Sequence, residues 1–273
     1  MKRIIILWIA FLAIQQSYGQ DLNVRGIARS SNKEKSFTLT PKGSASEIIL
    51  HIENFYGDVL IAAVNTPDLE ISTKGYEGVP EKAKGLKPLS ATGTDNTDIG
   101  LSVVQEGNVI KVSGASRKAD GHYTFKVPKN MKVKADLNSW QGGDFVVSGL
   151  ANEVDVKTQN GDIILRNVTG PIVASSLSGD IDVIYETVKP NAQNSITSTS
   201  GDIDVTIPAN TSNGFKLSTI SGEIYTDIDF DVQDKEGMNR IGGGYDMKVT
   251  LNNGGINILL KTISGDIYIR KAE

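Results

Sequence analysis

The chain has 273 residues, no cysteine, 28 glycines and a formal net charge of -4. Without cysteine there is no disulfide framework and no thiol for a lipid anchor. The acidic balance argues against nucleic acid or an anionic membrane surface as a partner.

The N-terminus reads as a targeting segment. Lys2 and Arg3 precede an apolar run from Ile4 to Ile14, and Ser17-Tyr18-Gly19 places small residues where a signal peptidase reads them. Cleavage is expected before Gln20, giving a signal peptide over 1–19. The apolar run is too short to span a bilayer comfortably, so no stable membrane insertion is expected after its removal. Losing Lys2 and Arg3 shifts the formal charge from -4 to -6. Export to the periplasm, the cell surface or the medium follows from this reading.

Residues 20–47 form a lead-in with candidate strands at Ser36 to Thr40 and from Glu47, and a turn at Pro41-Lys42-Gly43. It is the candidate cap for whatever follows. A first strand–corner–strand unit spans Ile48 to Val64, centred on Gly57-Asp58. After a strand at Leu69 to Thr73, residues 74–98 break the pattern with Gly75, Gly78, Pro80, Gly85, Pro88 and Gly93, and with Lys74, Lys82, Lys84 and Lys87. Loops of this length are uncommon unless functional or disordered. Strands resume at Leu101 to Val104, Val109 to Val112 and Tyr123 to Val127.

From Met131 the pattern becomes regular. Gly143-Asp144, Gly161-Asp162, Gly179-Asp180 and Gly201-Asp202 recur at spacings of 18, 18 and 22 residues, each between runs of alternating β-branched residues. Period-two alternation reads as strand with one buried face. The glycine is expected to turn the corner with a positive φ, and the acid to accept backbone N–H groups there. Further copies are Ser221-Gly222-Glu223-Ile224, Asn253-Gly254-Gly255-Ile256 and Ser264-Gly265-Asp266-Ile267. A second irregular loop is expected at 229–244. Tight hairpins are the rival explanation of Asn-Gly. They would not need the same residue types at the same position of every unit. The pattern therefore predicts an all-β, single-stranded β-helix over 48–273, with about 18–22 residues per coil. It would place Ile163, Ile181, Ile203 and Ile224 in one column.

These serial units resemble the bacterial "putative adhesin" domain family of unknown function, exported β-helical proteins common in Bacteroidetes. The resemblance covers roughly residues 45–270. It implies a right-handed β-helix outside the cytoplasm and supplies no catalytic residues.

Candidate chemistry is sparse. The column Asp144, Asp162, Asp180, Asp202 and Glu223 lacks the dense spacing of calcium-binding β-helix repeats, so corner chemistry is the expected role and no metal or cofactor is predicted. Asp155, Asp182 and Asp204 form a second acidic set that could supply a glycosidase pair, but no Arg or His is evident among them. His51 and His122 have no ligand-spaced partner. Ser178, Ser200, Ser221 and Ser264 read as corner hydrogen-bonders. Trp140 is the aromatic suited to stacking on a sugar, and Tyr225 and Tyr268 share a position three residues after their corner glycines. The candidate ligand-binding residues are Tyr76, Lys82, Lys84, Lys87, Trp140, Tyr225 and Tyr268. The function expected is non-enzymatic binding of a glycan or envelope protein. The alternatives are a polysaccharide hydrolase or lyase, and a structural or regulatory envelope component. A cleft lined by acids and aromatics would mark the enzyme, and a flat face with an aromatic row the binder.

Overall fold

The computed structural model describes residues 34–272 apart from 75, 79, 87–89, 117–120, 141, 190–191 and 233–244. The expected signal peptide, the first half of the lead-in, Lys87 and most of the 229–244 loop lie outside the described residues. Among those described there is no α-helix, only a 3-10 turn at Glu81–Ala83.

The strands of the first third are β1 (Glu34–Leu39), β2 (Ile49–Glu53), β3 (Val59–Val64), β4 (Leu69–Lys74), β5 (Leu101–Glu106), β6 (Val109–Gly114) and β7 (Tyr123–Pro128). The regular array follows with β8 (Lys132–Leu137), β9 (Phe145–Ser148), β10 (Val154–Thr158), β11 (Ile163–Val168), β12 (Ile172–Ser176), β13 (Ile181–Tyr185), β14 (Asn194–Ser198) and β15 (Ile203–Ile207). The chain ends with β16 (Asn213–Thr219), β17 (Ile224–Thr226), β18 (Asp231–Val232), β19 (Tyr245–Leu251), β20 (Ile256–Lys261) and β21 (Ile267–Lys271).

Each coil contributes one strand to each of two sheets. In β10, Val154, Val156 and Thr158 face inward and Asp155 and Lys157 outward. After the corner, Ile163 and Leu165 of β11 face inward against them. The ten-stranded sheet runs β1-β4-β7-β3-β9-β11-β13-β15-β21-β17, and the eleven-stranded sheet runs β18-β19-β16-β20-β14-β12-β10-β8-β2-β6-β5. Pairing between coils is parallel and in register, as in Ile163↔Ile181↔Ile203. This is the β-helix the repeat predicts, with coil steps of 18 and 22 residues.

The order of stacking departs from the order of sequence at both ends. The last coil, β20–β21, lies between β14–β15 and β16–β17, so Ile203 pairs with Ile267, and Ile267 with Ile224. The expected column therefore reads Ile163, Ile181, Ile203, Ile267, Ile224. The first coil, β2–β3, likewise lies between β6–β7 and β8–β9. Antiparallel strands cover the outer coils: β4 and β1 beside β7, β5 beside β6, and β19 beside β16. Ladder edges that would otherwise face water are paired this way. The Asn253-Gly254 copy is not a corner: it links β19 to β20, which flank β16 in one sheet.

The core is a set of columns. Ile163, Ile181, Ile203 and Ile267 are fully buried, as are Leu165, Val205 and Ile269 beside them. Each such side chain contributes roughly 1.5–3 kcal/mol on burial. Phe55 packs edge-on against Tyr123 at 5.1 Å and Phe125 at 6.4 Å at the other end.

Candidate functional site

The corner acids form a hydrogen-bonded ladder. Asp58 Oδ1 accepts from Asp144 N, Asp144 Oδ1 from Asp162 N, and Asp162 Oδ1 from Asp180 N. Asp180 Oδ1 accepts from Asp202 N, Asp202 Oδ1 from Asp266 N, and Asp266 Oδ1 from Glu223 N, at 2.8–3.0 Å throughout. One oxygen of each Asp thus holds the next coil's backbone, and Glu223 stands where the stack of corners ends. No group of three or more His, Cys, Asp or Glu among the described residues is placed to hold a metal ion.

The corner glycines have a different role from the one expected. Of Gly143, Gly161, Gly179, Gly201, Gly222 and Gly265, only Gly161 has a positive φ, +87°. A β-carbon at Gly179 would overlap the carbonyl oxygen of Gly161, and one at Gly201 that of Gly179. Close approach between coils excludes side chains here. The serines also differ: Ser178, Ser200, Ser221 and Ser264 are exposed. The corner is tied instead by buried residues three before the glycine. Ser176 Oγ accepts from Gly179 N at 2.7 Å and Ser198 Oγ from Gly201 N at 2.9 Å. Thr219 and Thr262 hydroxyls donate to Gly265 O and Gly201 O. In sequence these residues look like ordinary inward positions of a strand.

Tyr225 and Tyr268 project from neighbouring strands of the ten-stranded sheet, on its outer face. Their rings stack with centroids 5.3 Å apart and planes 14° apart, and Tyr225 is 50% exposed. The Arg270 guanidinium lies 5.5 Å from the centre of the Tyr268 ring, and its Nε donates to both Asp204 oxygens at 3.0 and 2.9 Å. That bond to Asp204 strengthens the Arg270 charge. Loss of hydration, then a hydrogen bond to Asp266, pushes the Tyr268 phenol up.

The strip continues to Asp182, in register with Asp204, and to Arg166, with a cleft of about 240 Å³ among them. Partial desolvation raises the Asp182 pKa first, with Asp204 and Asp180 adding to it and Arg166 opposing. Arginines do therefore stand among these acids, which the sequence pattern concealed. Asp155 does not belong to the set: it lies on β10 of the other sheet, beside Lys134.

Tyr76 is 6% exposed, with its hydroxyl bonded to Asp95 at 3.3 Å and Lys35 Nζ 5.2 Å from its ring centre. Burial, then Asp95, raises its pKa. It is a packing residue and not the surface contact expected. Lys82 and Lys84 are exposed, and Lys84 lies 3.6 Å from Glu81. The end of the excursion is tied down: Asp95 accepts the N–H groups of Thr97, Asp98 and Gly100, and Ser113 Oγ of β6 donates to Thr92 O.

Trp140 is 72% exposed. It borders a cleft of about 600 Å³ with Glu53, Asn54, Tyr56, Asp136 and Asn138. His51 Nε2 lies 2.8 Å from Asp136, and His122 Nδ1 lies 2.6 Å from Asp58. Both histidines thus pair with carboxylates.

A two-sheet β-helix with glycine–aspartate corners defines the class. The family model Toastrack DUF4097 matches residues 129–270, more than half of the chain, and the chain belongs to that family. No curated protein matches it in sequence. Among solved structures, a "putative cell adhesion protein" from Clostridium sporogenes is 13% identical, covering 88% of this chain and 100% of its own, with a TM-score of 0.46. A "putative adhesin" from Bacteroides fragilis is 13% identical over 89% of this chain and 99% of its own, TM-score 0.41. Another from Parabacteroides distasonis is 9% identical over 89% and 98%, TM-score 0.30. At these scores they decide nothing about this chain.

Proposed function

We propose that this is an exported, non-enzymatic binding protein of the cell envelope or surface, which engages a glycan or a protein through the outer face of its ten-stranded sheet. The observation that carries the reading is the stacked pair Tyr225 and Tyr268 beside the Arg270–Asp204 ion pair. Rigid aromatic area next to an oriented polar pair is the composition of a binding surface. Parallel pairing sets Tyr225, Tyr268 and Asp204 in register on neighbouring strands. Export is supported by the basic, apolar and small-residue segments ahead of Gln20. A glycan array and a pull-down from envelope extract, run with the parent chain and a Tyr225→Ala/Tyr268→Ala variant, test the reading. Retention of a ligand by the parent and its loss in a variant that remains folded is expected. Equal retention by both would sink it.

A second reading, a polysaccharide-acting hydrolase, is favoured by one observation. Asp182, whose pKa is raised first by burial, lies in register with Asp204, whose two oxygens accept from Arg270 Nε. Two neighbouring carboxyl groups in unlike surroundings suit glycoside cleavage. Polymer turnover by the parent that disappears in Asp182→Asn would establish it over the binding reading.

A further inference from the structure

In six coils the corner from the eleven-stranded to the ten-stranded sheet takes four residues once register is matched. These are 55–58, 159–162, 177–180, 199–202, 263–266 and 220–223. Coil β8–β9 uses seven, 138–144, although Leu137 pairs in register with Thr158. Aligned on its Gly-Asp, this coil carries a three-residue insertion, Asn138-Ser139-Trp140. The adjoining coil β2–β3 departs in another way. Phe55 turns into the core, whereas Leu177, Ile263 and Ile220 at the same corner position are exposed. One coil thus withdraws a side chain where its neighbour adds a wall, and the 600 Å³ cleft lies between them.

We propose that this cleft is a binding site for a neutral sugar ring of a glycan, stacked on Trp140. The volume is within the range of small-ligand sites. The insertion presents the indole 72% exposed, and its backbone is fixed where Asn160 Nδ2 donates to Trp140 O at 3.1 Å. Tyr56, 43% exposed, is the second aromatic in the lining. The remaining groups are polar: the Glu53 carboxylate and the Asp136 oxygen not facing His51 are acceptors suited to sugar hydroxyls, and the Asn54 and Asn138 amides both donate and accept. An indole face matches the C–H face of a pyranose, and flanking acceptors match its hydroxyl edge. The two carboxylates disfavour a uronate or a phosphate. A strand-adding peptide has no edge to use here, because β2 and β8 pair with each other. The residues differ from those of the Tyr225–Tyr268 face, so this site stands or falls separately from that reading.

Of the two tryptophans, Trp8 lies in the expected signal peptide, so the emission of the exported chain from Gln20 reports on Trp140 alone. This chain is titrated with neutral gluco-, manno- and galacto-oligosaccharides, with polygalacturonate as the anionic counterpart. A saturable change in tryptophan emission is expected with at least one neutral series and none with polygalacturonate. Calorimetry on Trp140→Ala is expected to show affinity for that series lowered at least about tenfold, with an unchanged melting temperature. Asn138→Ala is expected to weaken the fluorescence response. A Tyr225→Ala/Tyr268→Ala background is expected to keep it, which separates this site from the sheet face. The proposal is overturned if no neutral series alters the emission, if polygalacturonate binds equally well, or if Trp140→Ala binds like the parent.

Discussion

Gly179 has no positive φ, yet a side chain there would run into the Gly161 carbonyl of the coil beside it. Gly107 is its opposite: φ is +59° and the space around a β-carbon is open. Gly179→Ala must therefore push two coils apart, at about 1–3 kcal/mol as for other overpacking changes. Gly107→Ala meets only the left-handed backbone penalty, about 1 kcal/mol. Urea denaturation of the two variants should rank Gly179→Ala as the more damaging. The reverse order would mean that corner contact is not what selects glycine. Asp182 gives a second prediction at this scale. Its pKa is raised in the folded protein, so ionising it costs more folded than unfolded. Its ionisation therefore removes stability as pH rises from the ordinary carboxylate range through the raised value; at lower pH the penalty is absent. Asp182→Asn should flatten that decline in a pH series of urea midpoints, and an unchanged slope would contradict it.

The corner is the repeating element, and its aspartates work as acceptors across coils. Asp180 Oδ1 binds the Asp202 N–H at 2.8 Å. An asparagine can still present an oxygen there, whereas an alanine leaves the N–H to water. Asp180→Ala is expected to cost about 0.5–1.5 kcal/mol and Asp180→Asn distinctly less, by thermal or urea melting. The same geometry bears on cations, because one oxygen of each Asp in the ladder is already directed at a neighbouring backbone. Millimolar calcium should accordingly raise the melting temperature little. A rise above about 10 °C that Asp180→Asn abolishes would instead make the column a cation site.

In the whole molecule the C-terminal coil is an interior layer. Removing residues 256–273 from a solenoid stacked in sequence order would peel off one end. Here it removes the layer that β16 and β17 rest on. The loss includes Ile258, Leu260, Ile267 and Ile269, all buried. At roughly 1.5–3 kcal/mol each, the total is comparable with the stability of an entire domain. A chain ending at Gly255 is expected to lose its cooperative unfolding transition or to accumulate as insoluble protein. A soluble truncation with the parent's urea midpoint would contradict the inserted-coil topology.

The all-β class, the coil length, the inward isoleucines and the corner positions other than Asn253-Gly254 are legible in the sequence, because they depend on local alternation and on a spacing that repeats. The outward placement of Tyr225 and Tyr268 follows from the same alternation. Tertiary structure decided what the period cannot encode. Nothing local distinguishes Ile267 from Ile224 as the neighbour of Ile203; that choice depends on how β16 and β19 pair. Tyr76 resembles a surface tyrosine in a polar loop until Asp95 and Lys35 enclose it. Arg166 and Arg270 are 104 positions apart, and only stacking brings both to the cleft with Asp182 and Asp204. The three extra residues ending at Trp140 are present in the sequence. Their meaning as an insertion required the register of Leu137 with Thr158, which hydrogen bonds between coils alone determine.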